Sequence, residues 1–230
     1  MAQRIVLTAK DGHKLDAWRA DPKGRAKGGI VVLHFVYGIN DNIGRVCDQW
    51  AAQGYATIAP ALYDRVGKNL LFPYGPDGVK EGAKIYDQIK VKPDQVLADI
   101  GAAVDALKPS GRVAVCGFCL GGTWTWVSSA MLPIQAAATF YGSHIPAYLQ
   151  YAPKCPTIVH YGDPDPIVPM PDIEKIRAAY PKVPLYIYPG CGHGFNNPEQ
   201  PTYNADAAAL MFKRTLEFFD RELAVAQAAE

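Results

Sequence analysis

The stretch Val115-Cys-Gly-Phe-Cys-Leu-Gly-Gly122 sets a cysteine, Cys119, among glycines just past an apolar run. A thiolate is a strong nucleophile once it has lost its proton. Gly117, Gly121 and Gly122 are the small neighbours that a sharp strand-to-helix turn needs, with the residue at its apex strained. Such a turn lifts the cysteine to the top of a sheet and aims the next amide, that of Leu120, at a reacting oxygen. A helix starting there would favour the thiolate at its N-terminus. The plainer alternative is a glycine-rich turn around a buried thiol.

Two later stretches supply the partners a thiolate would need. The run PTIVHYG leads into Asp163-Pro-Asp-Pro-Ile-Val-Pro169, where Asp163 or Asp165 could orient a histidine or simply brace a turn. The run PLYIYPG leads into Cys191-Gly-His-Gly-Phe195, which leaves His193 between two glycines on a loop. Nucleophile, acid and histidine follow in one chain order, each directly after a strand, and together they predict a Cys119–Asp165–His193 triad. The loop after GIVVLHF, Val36-Tyr-Gly-Ile-Asn40, stands where a second oxyanion donor would come from, with the Val36 amide as candidate. A plain strand-to-helix connection is its alternative. Tyr37, Tyr86, Tyr141, His144 and Trp124 are candidates to line a cleft.

Cys116 and Cys119 also make a C-x-x-C. Cys116 falls inside a strand, whereas a redox pair places both cysteines at the start of a helix, so the pairing reads as accidental. A zinc ribbon would need a second closely spaced pair, and no metal site is expected. Five scattered cysteines, an odd number, argue against a disulfide framework. Cys47, on the core face of its helix, and Cys191 read as passive.

The elements that must position these residues alternate along the chain. Arg4–Ala9 and Lys14–Ala20 flank Asp11-Gly12 and predict an antiparallel pair. Strands are expected at Gly29–Phe35, Tyr55–Ala61, Arg112–Cys116, Ala136–Tyr141, Thr157–Tyr161 and Leu185–Tyr188. Helices are expected with Ile43, Val46, Cys47, Trp50 and Ala51 on one face, over Pro93–Leu107, from the Cys119 turn to Ala130, near Pro171–Tyr180, and at the end with Phe212, Leu216, Phe219 and Leu223 on one face. Residues 63–80 lack periodicity and read as a long covering loop. The Ala-rich tail is expected to fray. This alternation predicts an α/β fold: a mainly parallel twisted sheet with helices on both faces, its ligand site at the carboxyl ends of the strands.

The chain has 230 residues, a net charge of +1, 49% hydrophobic and 20% charged residues. One domain over 1–230 fits that length. Near neutrality gives no reason to expect nucleic acid or an anionic membrane as a partner. No apolar run reaches membrane-spanning length, and the first residues lack a signal core, so a cytoplasmic protein is expected.

Taken together, Gly117-Phe-Cys-Leu-Gly-Gly122, Gly162-Asp-Pro-Asp-Pro-Ile-Val-Pro169, Gly192-His-Gly-Phe195 and Tyr37-Gly-Ile-Asn40 resemble the dienelactone hydrolase family of α/β-hydrolases. The resemblance runs over essentially the whole chain. It implies an α/β-hydrolase fold and a cofactor-free enzyme, monomeric or a homodimer, that opens a small lactone or ester through a Cys–His–Asp triad and a thioester. It also implies that Asp165, not Asp163, is the acid. The chain departs from the family in two ways. Phe35 stands where the family has a glutamate that pairs with the cysteine. The arginines that hold a substrate carboxylate are absent: Asn196 and Asn197 follow the histidine, and near Glu81–Lys84 only Lys80 or Lys84 could substitute. Phe35, Tyr37, Tyr86 and Tyr141 are expected to meet the substrate. A less anionic substrate follows, and a Cys119 paired directly with His193. A general carboxylesterase or thioesterase, and a ligand-binding α/β-hydrolase without turnover, are the alternatives.

Overall fold

The computed structural model describes residues 1–224; the Ala-rich tail lies outside the described residues. β1 (Gln3–Thr8) and β2 (Lys14–Ala20) pair antiparallel through the Asp11-Gly12 turn, where Gly12 takes φ +86°. β3 (Gly29–Leu33), β4 (Ala56–Pro60), β5 (Val113–Phe118), β6 (Ala136–Phe140), β7 (Thr157–Gly162) and β8 (Leu185–Tyr188) complete one sheet of order β1-β2-β4-β3-β5-β6-β7-β8. β2 runs antiparallel to β4, and every pair from β4 to β8 is parallel. All residues of β3 to β7 are buried, which is why these strands read as unbroken apolar runs rather than alternating ones.

Among the described residues six α-helices cover the sheet. α1 (Asp41–Ala52) and α6 (Ala205–Leu223) share one face, where Trp50 packs on Phe212 and Phe219 at ring-centroid distances of 4.7 and 5.5 Å. α3 (Pro93–Leu107) and α4 (Leu120–Met131) cover the other, with α2 (Pro76–Lys90) laid on α3. α5 (Met170–Ala179) follows β7. The buried face of α6 is Met211, Thr215, Phe218, Phe219 and Leu223, rotated from the expected stripe. Phe212 and Leu216 sit at its margin because Thr215 takes a central place, bonding to the Met211 carbonyl and to buried His160.

One expectation needs correcting. The covering loop ends at Gly75, and residues 76–80 already belong to α2. The buried positions of that helix are Gly78, Gly82, Tyr86 and Ile89, so half its inward stripe has no apolar side chain to show in the sequence. Gly82 lies so close to the sheet end that a Cβ there would come within 2.1 Å of the Val36 carbonyl. The helix is docked by backbone proximity rather than by a hydrophobic stripe.

The remaining cover is held by charge. Arg65 makes a bidentate pair with Asp99 of α3, both contacts at 2.7 Å, and reaches Asp11 at 2.8 Å. Lys68 ties Asp64 to Asp16. Tyr74 receives hydrogen bonds from Asn40, the N-cap of α1, and from Asn197. No helix among the described residues is long and apolar enough to cross a membrane.

Candidate active site

The geometry at the end of β5 is that of a strained turn. Cys119 has φ +53° and ψ −115°, conformations that a non-glycine residue adopts only under constraint. Its amide bonds to the Phe140 carbonyl of β6, and α4 starts at the next residue. The helix presses onto β3: a Cβ on Gly121 would sit 2.4 Å from the Leu33 carbonyl oxygen and 2.6 Å from that of His34. Only glycine permits that approach, and it raises Cys119 over the carboxyl ends of the strands.

Asp165 comes from the loop after β7 and is 2% exposed. One carboxylate oxygen accepts from the amides of Ile167 and Val168, and the other meets His193 Nδ1 at 2.7 Å. Asp163 instead accepts from the Gly190 amide and braces the turn before the histidine loop. The two loops touch at the backbone: a Cβ on Gly162 would fall 1.7 Å from the Cys191 carbonyl oxygen. Of the two aspartates, the structure joins Asp165 to His193.

His193 Nε2 is buried and lacks an aligned hydrogen-bond partner among the described residues, so its link to Cys119 is chiefly that of neighbouring charges. Burial opposes the His193 charge, yet the Cys119 thiolate and Asp165 raise its pKa to about 10. Burial likewise opposes the Cys119 thiolate, but the neighbouring His193 charge, with polar groups of Ser143 and the Leu120 amide nearby, holds the thiol below its ordinary value. The other thiols behave oppositely. Burial pushes Cys47 up to about 12 and raises Cys116 as well, and both are fully buried. Cys116 lies inside β5, as its position in the apolar run implied.

A cavity of about 240 Å³ opens over Cys119 and His193. Phe35, Tyr37, Tyr86 and Tyr141 all line it, as do Val36 and Leu120. Neither the Val36 nor the Leu120 amide donates to a backbone acceptor among the described residues. Trp124 is buried in α4 and does not reach the cavity. His144 does line it, stacked on Tyr86 with ring centroids 5.3 Å apart. Ser143, Val79, Asp87 and Ile167 also line it, and nothing in their sequence surroundings marked them.

No lysine or arginine among the described residues lines the cavity. Lys84 is paired with Glu81 on the outer face of α2, and Lys80 is exposed away from the site, so neither takes the place of a substrate-binding arginine. Asn196 accepts from the Tyr141 hydroxyl at 2.7 Å, and Asn197 bonds Asn42 and Tyr74; both are spent on holding the walls. On the β3 side, Phe35 packs edge-on to Tyr37 at 5.5 Å. The preceding His34 is buried, donates from Nδ1 to the Phe35 carbonyl at 2.7 Å and accepts from the Leu62 amide at Nε2. Burial pulls its pKa down to about 4, so it stays neutral and structural.

Comparison with known proteins bears on the fold and the family. The family model described as "Dienelactone hydrolase family" matches residues 15–223. A Synechocystis protein with the provisional name carboxymethylenebutenolidase is 30% identical over 84% of this chain and 86% of its own. The carboxymethylenebutenolidase of Pseudomonas putida is 26% identical over 95% of this chain and 96% of its own. A crystal structure from Klebsiella pneumoniae, provisionally named a dienelactone hydrolase, superposes with a TM-score of 0.81 at 25% identity, covering 95% of this chain and 98% of that one. Both the sheet order and these neighbours make the fold that of an α/β-hydrolase. With its cysteine elbow, acid loop and histidine loop each following a parallel strand, the chain belongs to the dienelactone hydrolase family.

Proposed function

We propose that the chain hydrolyses a small, uncharged lactone or carboxylic ester with Cys119 as nucleophile. The observation that carries this reading is the contact of Asp165 with His193 beside Cys119, in a cavity lined by no lysine or arginine among the described residues. At rest the pair is thiolate and imidazolium. The sulfur attacks the acyl carbon, and the carbonyl electrons move to oxygen. The Leu120 and Val36 amides receive that oxyanion, each donor worth roughly 3 kcal/mol. The carbon–oxygen bond then breaks, and His193 gives its Nε2 proton to the departing alkoxide. In a lactone that alcohol stays attached to the acyl chain. His193, now neutral, takes a proton from water as the water oxygen attacks the thioester. Cys119 leaves as thiolate, and the carboxylic acid product ionises. Asp165 keeps the Nδ1 proton in place throughout and offsets the imidazolium charge.

Substrate charge follows from what the walls lack. A substrate carboxylate would lose its hydration without gaining a lysine or arginine, and it would compete with the Cys119 thiolate and Asp165 for the single His193 charge. A neutral aryl ester or unsubstituted lactone should therefore exceed a carboxylated lactone of the same size by about tenfold or more in kcat/KM, a difference of about 1.4 kcal/mol in transition-state binding. Steady-state kinetics on the matched pair checks this. Equal or faster turnover of the carboxylated lactone would overturn the charge assignment, and no hydrolysis of either would overturn the reaction class.

A further inference from the structure

The two proposed oxyanion donors are held in different ways. The Leu120 amide opens α4 and is fixed by the helix and the elbow. The Val36 amide lies between the end of β3 at Leu33 and the start of α1 at Asp41, with no strand or helix to aim it. It donates to no backbone acceptor among the described residues, although Val36 is buried. A donor kept free for a substrate oxygen gains its value from being aimed in advance.

The aim comes from beneath the loop. A trans peptide is planar, so its C=O and N–H point in opposite directions. The Val36 N–H therefore follows the Phe35 carbonyl. That carbonyl accepts from His34 Nδ1 at 2.7 Å and, across a tight turn, from the Gly38 amide at 3.2 Å. The His34 ring is oriented in turn by the Leu62 amide, which donates to Nε2 at 3.2 Å. An amide N–H can only donate, so Nε2 offers its lone pair and the neutral ring carries its hydrogen on Nδ1. The next peptide is held as well. The Tyr63 hydroxyl donates to the Val36 carbonyl at 3.1 Å, and Gly82 of α2 is packed against the same oxygen. His34 and Tyr63 meet edge to face, with ring centroids 4.8 Å apart. Both are buried and neither lines the cavity over Cys119, whereas Phe35, Val36 and Leu120 do.

We infer that His34 is a positioning residue of the oxyanion hole: it turns the Phe35–Val36 peptide so that the N–H faces the cavity, and Tyr63 fixes the peptide that follows. The inference rests on the reading of Cys119 as nucleophile and Val36 as oxyanion donor. It gives a task to a buried histidine that the hydrolytic scheme does not use. Without the His34 hydrogen, the Phe35 carbonyl keeps only the Gly38 amide, and the peptide plane is free to rock. The Val36 amide must then be reoriented as charge develops on the substrate oxygen. That cost falls on the transition state and spares substrate binding. None of the hydrogen bonds or ring contacts of His34 reaches Cys119, Asp165 or His193, so the thiolate and its base stay as they are.

The test separates the oxyanion from the thiolate. Phenyl trifluoromethyl ketone takes the Cys119 sulfur at its carbonyl carbon, and the carbonyl electrons pass to oxygen, so the adduct carries the charge that the Val36 amide receives. Phenyl methyl ketone has the same ring, remains a ketone and measures plain binding. His34→Phe keeps a ring but removes both nitrogens. It should weaken the trifluoromethyl ketone about tenfold or more, less than the deletion of an oxyanion donor because the amide is misaimed and not lost. The methyl ketone should weaken by less than about twofold. Iodoacetamide alkylation of Cys119 forms no oxyanion and should keep its rate within about twofold, with Cys119→Ala as the blank. His34→Asn, whose amide nitrogen stands where Nδ1 stood, should recover most of the loss. Tyr63→Phe should show a smaller loss of the same kind, and it carries the test if His34→Phe does not fold. An unchanged trifluoromethyl ketone affinity, an equal loss for both ketones, or an equal slowing of alkylation overturns the inference. So does a wild type that forms no adduct. The adduct needs no ester. A His34-dependent adduct in a protein that hydrolyses nothing would refute the proposed activity and leave this inference intact, and ester hydrolysis indifferent to His34 would do the reverse.

Discussion

Cys119→Ala is expected to lower kcat/KM for the best ester by a factor on the order of 10⁴ or more, with the fold intact. The elbow raises the sulfur over the cavity floor, and the His193 charge beside it favours the thiolate. Alanine fits the elbow at the same positive φ with the same Cβ, so no new strain enters and the melting temperature should stay within a few degrees. The His193 titration supplies a second signature. Its pKa stands near 10 chiefly because a thiolate lies beside it, so removing the sulfur should drop the value several-fold in proton affinity, even with Asp165 still in contact. Hydrolysis kinetics and the NMR titration of the His193 ring check both halves. Turnover retained in the variant would mean that another group attacks.

Arg65→Ala is expected to cost about 3–5 kcal/mol of stability, the usual consequence of removing one partner of a buried pair. Asp99 is 1% exposed in α3, and the side chain of Arg65 is itself largely covered. Without the guanidinium, the carboxylate stays behind with no counterion and two lost hydrogen bonds. Burial already pushes Asp99 above the ordinary carboxylate value, and Arg65 opposes that push. The variant should raise it further. A carboxyl whose folded pKa is raised favours the folded state increasingly as pH falls through that pKa, so the deficit should shrink toward acid. Urea unfolding at neutral and acidic pH measures both. Asp99→Ala in the Arg65→Ala background should recover part of the loss. A deficit below about 1 kcal/mol would show that water reaches the carboxylate.

The central strands were legible in the sequence because a parallel sheet buried on both sides writes itself as uninterrupted apolar residues, as in Ile30–Leu33 and Val113–Cys116. The site residues were legible for a related reason: each polar or glycine-flanked position at a strand's carboxyl end had to face the same rim. α2 was not legible at its start, since Gly78 and Gly82 pack by having no side chain, which no hydrophobic period detects. The two aspartates after β7 looked alike because both are used, Asp163 on a backbone turn and Asp165 on His193. Ser143 could not be singled out, because it reaches the cavity through the register of β5 with β6, which sets its amide against the Cys119 carbonyl.

The close approach of Gly162 to the Cys191 carbonyl has a consequence for how such a site changes over time. It makes the acid–histidine pair a unit joined directly through the loops after β7 and β8. The elbow is assembled separately, where α4 meets β3. The two subassemblies meet across the gap between sulfur and imidazole and through Tyr141, which packs on His193 and donates to Asn196. Exchange of the atom at the elbow, or of the wall residue Phe35, therefore leaves the proton relay where it stands. A lineage can alter which nucleophile it uses and which acyl groups it admits in small steps, without having to relocate its base.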